Sequence, residues 1–176
     1  MRDNLIINIT YKGFYKDKEN TFEVEPYFVK VFRGRWYLVA RSILEDKIRT
    51  YALDRMIDLF ATDKTFIYPK DFNPQAYFRY CFGIIQDNET KEQTIKIKVF
   101  NNQDKYISSL PLHHSQQEVE KTDSYTVFSY YLSPTFDFIR ELLSYGDNIE
   151  ILSPTSLRDC FANISKNMNK IYNNKK

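Results

Sequence analysis

Apolar and polar residues alternate through the first third of the chain with the two-residue period of half-buried β-strands. In "LIINITYKG", Leu5, Ile7, Ile9 and Tyr11 face one way and Asn8, Thr10 and Lys12 the other. The charged segment "FYKDKEN" reads as a turn, after which "TFEVEPYFVKVF" resumes the alternation, with Phe22 and Val24 inward and Glu23 and Glu25 outward. Pro26 interrupts it; a proline has no N–H to give to a ladder, which predicts an edge position or a bulge there. Arg33-Gly34 forms a tight turn into "RWYLVARS", placing Trp36, Leu38 and Ala40 on one face and Tyr37, Val39 and Arg41 on the other. Trp36 is expected in the core. After a "LEDK" turn, "IRTYALDRM" is expected as a fourth strand, on which Arg49, Tyr51, Leu53 and Arg55 share parity. Short strands joined by tight turns predict a small antiparallel barrel or sheet over residues 1–62.

The period then changes. "KDFNPQAYFRYCFG" predicts a short helix with Asn73 as N-cap, Pro74 at its first position and Gly83 closing it. "QDNETKEQ" holds no apolar residue and reads as a linker, so residues 63–92 are assigned to a connecting helix and linker. A second unit covers residues 93–176. "TIKIKVF" alternates as a strand, and "NNQDKYISSLP" forms a short helix that Pro111 stops. "SQQEVEK" and "YTVFSYYLS" are strands around a "TDS" turn. "SPTFDFIRELLSYG" predicts a helix with Ser133 as cap, Pro134 first, Phe138 and Leu142 four apart, and Gly146 at its end. "NIEIL" returns as a strand. The order β-α-β-β-α-β is ferredoxin-like. A last helix starts at "SLRD", where Ser156 and Asp159 have capping-box spacing. Its residues Leu157, Phe161, Ile164, Met168 and Ile171 make an apolar seam that covers a sheet or meets a partner helix. The fold class expected is α+β: an antiparallel barrel, then a ferredoxin-like domain with an extra C-terminal helix.

Composition sharpens the picture in two places. Aromatics make up 16% of the chain while glycine occurs only 4 times, which argues for a packed, strand-rich protein. The net charge of +2 is too small to imply polyanion binding. Its distribution says more: five of the nine arginines (Arg33, Arg35, Arg41, Arg49 and Arg55) fall within residues 32–56, where six basic residues face three acidic ones. An anion-binding surface is expected there. Guanidinium forks bind phosphate bidentately and a tyrosine ring can stack on a base. Arg49 and Arg55 with Tyr51 between them are the leading candidates, with Tyr37, Arg41 and Arg35 contributing. The alternative for Arg55 is a structural one, in which it pairs with a nearby acid and buttresses the barrel while Asp54 caps a turn.

Enzyme chemistry finds little material. No Ser-His-Asp order, phosphate-binding glycine loop or cysteine cluster occurs, so neither a reaction nor a cofactor is expected. His113 and His114 are adjacent, and neighbours on a strand point apart, so no metal site is expected either. Cys81 and Cys160 suit free thiols in a reducing compartment. With no long apolar run and no leader-like amino terminus, a cytoplasmic protein without a membrane partner is expected.

Three separated elements then fall in order: Pro26, the tripeptide Trp36-Tyr37-Leu38, and Arg49-Thr50-Tyr51-Ala52-Leu53-Asp54-Arg55-Met56. Together they resemble the WYL domain of bacterial transcriptional regulators, whose last element usually reads Arg-x-Phe-x-Leu-Asp-Arg-Ile. Tyr51 for Phe and Met56 for Ile are the departures. The resemblance covers residues 5–60, and residues 92–172 are similar in element order to the C-terminal extension that follows such domains. It implies an Sm-like β-barrel that senses a nucleotide-like or single-stranded nucleic-acid effector. It also implies a homodimer, with promoter DNA contacted by an N-terminal winged helix-turn-helix that this chain is expected to lack, opening directly into the first barrel strand. The competing expectation is a protein-interaction or dimerisation module with structural arginines and no small ligand. Limited proteolysis should cut first within residues 86–93, whose composition buries too little surface to order the segment strongly; first cuts inside residues 36–55 would contradict that division.

Overall fold

The computed structural model describes residues 3–87 and 89–173, so Asn88 of the expected linker lies outside the described residues. The chain divides into two compact units, Met1–Tyr77 and Phe78–Lys176. In the first, β1 (Leu5–Tyr11), β2 (Asn20–Phe32), β3 (Arg35–Ser42), β4 (Lys47–Ala52) and β5 (Met56–Thr65) form one antiparallel sheet in the order β4-β3-β2-β1-β5. The β2–β3 register shifts between Pro26 and Phe28, the bulge that the proline requires. The sheet is strongly curled. In a flat sheet β1 and β4 would lie about 14 Å apart, three strand spacings; yet the rings of Tyr11 and Tyr51 meet edge to face with centroids 5.5 Å apart, and Phe22 reaches Tyr51 at the same distance.

Curling gives the sheet a core on each face. Ile9, Val24, Leu38, Ala40 and Tyr51 are buried on the inside of the barrel-like sheet, with Tyr11, Phe22 and Met56 packed against them. On the other face Ile6, Tyr27 and Phe66 gather Phe28, Tyr68 and Phe72. As a consequence Tyr37, Leu38, Val39 and Ala40 are all buried, and the simple inside–outside alternation of β3 does not hold. Trp36 is the reverse of the expectation. It shares the Leu38 face but pairs with Val31 next to the turn of the β2–β3 hairpin, beyond the core, and is 58% exposed.

The expected fourth strand is also corrected. Residues Leu53–Arg55 form a 3-10 turn between β4 and β5, closed by the Met56 N–H on the Leu53 carbonyl. The turn exists because β4 and β5 sit at opposite edges of the same sheet, so the chain must change direction to reach β1. Arg55 therefore leaves the strand and does not share a face with Arg49 and Tyr51. A fifth strand, β5, lies where a change of period was expected.

After β5, Asn73 caps α1 (Pro74–Tyr77) as expected, its Oδ1 accepting the N–H groups of Gln75 at 2.8 Å and Ala76 at 3.1 Å. The helix ends at Tyr77, well before Gly83, because the following residues are recruited by the second unit: the Ser133 N–H donates to the Tyr80 carbonyl at 2.9 Å. The N–H groups of Ile84 and Ile85 similarly donate to the Asp137 carboxylate at 3.0 and 3.2 Å.

The second unit runs β6 (Gln93–Phe100), α2 (Asp104–Ser109), β7 (Gln117–Lys121), β8 (Tyr125–Leu132), α3 (Phe136–Leu143), β9 (Ile149–Ser153) and α4 (Thr155–Asn173). Its antiparallel order β7-β8-β6-β9 is that of the ferredoxin-like split βαβ arrangement. Ile95, Ile97 and Val99 of β6 and Phe128, Tyr130 and Leu132 of β8 meet Phe138 and Leu142 of α3 and Leu157 of α4 in one core. Burial pushes the Tyr130 phenol well above its usual pKa, and its hydroxyl is satisfied by Gln116 Oε1 at 3.1 Å. Two helix starts differ from expectation. Thr135, not Ser133, precedes α3, since Ser133 is held beside Cys81 and Tyr80. Thr155 begins α4, which puts Ser156 inside its first turn. Of the α4 seam, Leu157 is buried, Phe161 and Ile164 are half-buried, and Met168 and Ile171 are exposed.

Phe138→Ala should cost about 3–5 kcal/mol in chemical unfolding, the usual penalty for emptying a fully buried aromatic position. Trp36→Ala should cost no more than about 1 kcal/mol, since the indole is largely in solvent; a core-sized loss there would contradict its placement.

Candidate anion-binding site of the first unit

The arginines of residues 32–56 have separate fates. Arg41, on the outer face of β3, donates from Nε to Asp46 Oδ1 at 2.8 Å and pairs through Nη1 with Glu25 at 3.0 Å. Hydrogen bonds to those two carboxylates raise its pKa above the ordinary guanidinium value. Arg49, on β4, donates from Nε and Nη2 to Glu45 Oε2 at 2.7 and 2.5 Å. Arg35, at the start of β3, pairs with Asp54 of the 3-10 turn at 3.0 Å. Asp54 thus fastens the turn through Arg35. Arg33 sits at the tip of the β2–β3 hairpin, near the Phe32 ring, with a left-handed backbone.

Arg55 differs from the ion-paired three. Among the described residues it pairs with no carboxylate; its guanidinium lies over the ring of Phe14, 3.9 Å from the centroid. Its Nε is buried and meets no hydrogen-bond acceptor. Its carbonyl accepts the Lys12 N–H at 3.2 Å, which ties the loop between β1 and β2 to the turn. Lys12, Phe14, Arg35, Asp54 and Arg55 are therefore neighbours at one end of the barrel.

The two candidate tyrosines lie elsewhere. Tyr37 and Tyr51 are buried, and Tyr51 has its ring between Tyr11 and Phe22. Burial raises the Tyr51 phenol above its usual pKa, opposed in part by a hydrogen bond with Ser42. Neither presents an open stacking surface. The structure does not bring Arg49 and Arg55 onto one face, and it places Arg41 on the other side of the sheet from Arg49. Phe14 and Lys12 escaped the sequence reading. The available signal was the pair of aromatics in "FYKDKEN", a composition at odds with an ordinary charged turn. Among the described residues no cluster of three or more metal-ligating side chains occurs, and no helix is long and apolar enough to cross a membrane.

Residues 1–60 match the family model of the WYL domain, and residues 91–168 match that of the WCX domain. The chain is a WYL-domain protein with a WCX domain behind it. The WYL match spans β1 through the 3-10 turn and into β5, and the WCX match spans the ferredoxin-like sheet and most of α4. Among solved structures, the proteasome accessory factor B/C (PafBC) of Arthrobacter aurescens is 22% identical, over 90% of this chain and 24% of its own, with a TM-score of 0.42. A CRISPR Cas-related protein is 14% identical, over 98% of this chain and 48% of its own, with a TM-score of 0.56. The second likeness is one of fold. The WYL–WCX chain thus spans about a quarter of the first and about half of the second. No curated protein matches it.

Proposed function

We propose that the chain is the ligand-sensing and dimerisation portion of a bacterial transcriptional regulator, whose WYL domain binds an anionic effector, a nucleotide or a single-stranded nucleic acid, at Arg55. One observation carries this reading: Arg55 is held against an aromatic ring, without a carboxylate and with a buried, unsatisfied Nε. Leaving such a donor unpaired costs about 1–3 kcal/mol. A phosphate at the outer Nη groups would meet a cation that has no carboxylate to displace. Arg35, Arg41 and Arg49 add to the attraction; exposed ion pairs are worth only about 0–1 kcal/mol each, so they can turn toward phosphates at little loss. Tyr37 and Tyr51 act from within the core, by fixing the strands that carry these arginines. Contact with promoter DNA is assigned to a winged helix-turn-helix of the longer regulator, and no catalytic step is assigned to these two domains.

A second reading has its own support. Three of the candidate arginines already have carboxylate partners, as expected of structural residues in a protein-interaction or dimerisation module. Arg55→Ala separates the two. It should weaken binding of a short oligonucleotide about ten- to a hundred-fold, the effect of losing one charge-assisted contact of about 1.5–3 kcal/mol. Arg49→Ala should weaken it less, and affinity should fall as salt rises. Arg140→Ala, on α3 of the WCX domain, should bind like the parent. If Arg55→Ala binds unchanged, or if it unfolds the chain, the arginines are structural.

Homodimerisation belongs to the same proposal and is supported by α4, whose apolar seam continues beyond buried Leu157 into exposed Met168 and Ile171. Sedimentation at tens of micromolar (about the range in which weak dimers show) should give a dimer that Ile171→Glu shifts toward monomer. A parent chain that stays monomeric there would remove dimerisation from the proposal.

A further inference from the structure

Among the described residues β5 pairs with β1 alone, and its other edge is free. The β1 residues that turn their backbone groups toward β5 are the even-numbered ones. The Asn4 carbonyl accepts the Phe66 N–H at 2.9 Å, the Ile6 carbonyl accepts the Thr62 hydroxyl at 2.9 Å, and the Lys12 N–H donates to the Arg55 carbonyl. Ile7 and Ile9 therefore face β2. Ala61 and Leu59, which sit opposite them, turn their N–H and C=O groups to the free edge. There the Leu59 N–H is met by the side chain of its own neighbour, the Asp58 carboxylate, at 2.9 Å.

Free edges are ordinarily guarded by lysine or proline. From Met56 to Ala61 this one has neither, and Asp58 is its only charge. Ile57, Leu59 and Phe60 are instead 56%, 50% and 48% exposed, and Phe60 and Leu59 lie on opposite faces of the strand, so the edge is apolar on both sides. The β1–β5 register shifts on either side of residues 58–61, between Thr10 and Tyr11 and between Ile7 and Leu5. Such irregularities end regular pairing, which leaves a short stretch for an added strand. A four-residue edge buries far less than the roughly 1,200 Å² that a stable interface between folded chains needs, so it suits an extended peptide better than a second copy. The charges point the same way. Among the described residues neither Asp58 nor Asp63 pairs with a cation, whereas Lys64 is neutralised by Glu23 at 2.8 Å. A second β5 would bring the same two acids to the seam.

We infer that the free edge of β5 is a docking site for an extended segment of another protein in which basic and apolar residues alternate. The segment adds to β5 as a short extra strand, with main-chain hydrogen bonds giving affinity and alternate side chains giving selectivity. Its carbonyl takes over the Leu59 N–H, which frees the Asp58 carboxylate. A lysine or arginine on the Asp58 face meets that carboxylate, and apolar residues on the other face cover Leu59. The displaced acid is what sets the partner's charge: an acidic segment would face Asp58 with a like charge, and a wholly apolar one would leave a carboxylate at the seam without a partner. This site is separate from Arg55, and the inference does not depend on what Arg55 binds.

Fluorescence anisotropy of the whole chain with a labelled peptide of about six residues, alternating lysine and valine, tests the inference. Its counterpart alternating glutamate and valine should bind at least about ten-fold more weakly. Leu59→Pro removes an edge donor that the β1 ladder does not use, so circular dichroism should show it folded while the lysine peptide weakens at least about ten-fold. Asp58→Lys should reverse the preference, so that the glutamate peptide becomes the tighter of the two. That reversal decides the matter if Leu59→Pro fails to fold. A parent chain that does not bind the lysine peptide at about 1 mM, an unreversed preference in Asp58→Lys, or a folded Leu59→Pro that binds like the parent would each overturn the inference. Sedimentation in which the parent self-associates and Leu59→Pro does not would overturn it too, because the occupant of the edge would then be a second copy.

Discussion

The edge-to-face contact between Tyr11 and Tyr51 is the constraint from which the rest of the WYL domain follows. These rings belong to strands three positions apart in the sheet and can touch only if the sheet closes on itself. Closure brings the end of β4 toward the end of β1, where the Tyr11 hydroxyl accepts the Ala52 N–H at 3.4 Å. The chain must then leave β4, turn within three residues and join β1 from its free side. Leu53–Arg55 does this as a 3-10 turn, and Arg35 holds it through Asp54. A barrel that opened at this seam would lose the turn, and with it the Lys12 N–H bond to the Arg55 carbonyl that holds the β1–β2 loop.

That dependence explains what could be read from sequence and what could not. β1 and β2 were legible because apolar and polar residues alternate along them, β3 because an apolar run lies between the turns at Arg33-Gly34 and "LEDK", and Pro26 announced its bulge because a missing N–H acts locally. The whole ferredoxin-like order was legible for similar reasons, down to the strands around the "TDS" turn. The 3-10 turn was not. Ala52, Leu53 and Asp54 continue the β4 alternation, and nothing in their composition says that the sheet is closed. Trp36 was misplaced for a related reason: parity gives its face correctly, but whether a face is covered at that point depends on how far the curl extends along the hairpin. Helix starts moved by a residue or two where distant partners, such as Tyr80 for Ser133, took the capping residue first.

Of the candidate site, the clustering of arginines was legible in the sequence and their arrangement was not. Counting charges located the arginines within one stretch, and three of them are indeed strand or hairpin residues with exposed guanidinium groups. Charge counts say nothing about which carboxylates lie across a turn. Glu45 and Asp46, from the turn after β3, take Arg49 and Arg41, and Asp54 takes Arg35. The tyrosines read as stacking surfaces became core because closure needs large rings inside a small barrel. The exposed rings came instead from the β1–β2 loop, where no periodicity argument applies.

The choice of partner for Arg55 then matters more than its presence. A carboxylate beside it would orient the guanidinium and also cancel its charge, so an arriving phosphate would have to displace a competitor of the same sign and geometry. An aromatic face orients the guanidinium through its quadrupole and cancels nothing, because a cation over a ring keeps its full formal charge. The Arg55 Cζ lies 3.9 Å from the Phe14 centroid, and its Nε is buried there without an acceptor. Arg35, Arg41 and Arg49 are each oriented by an opposite charge, Arg35 at the 3-10 turn and Arg41 and Arg49 at the turn after β3. Arg55 is oriented by an aromatic ring instead, which supports the proposal that it, among these arginines, is the one left for an anion.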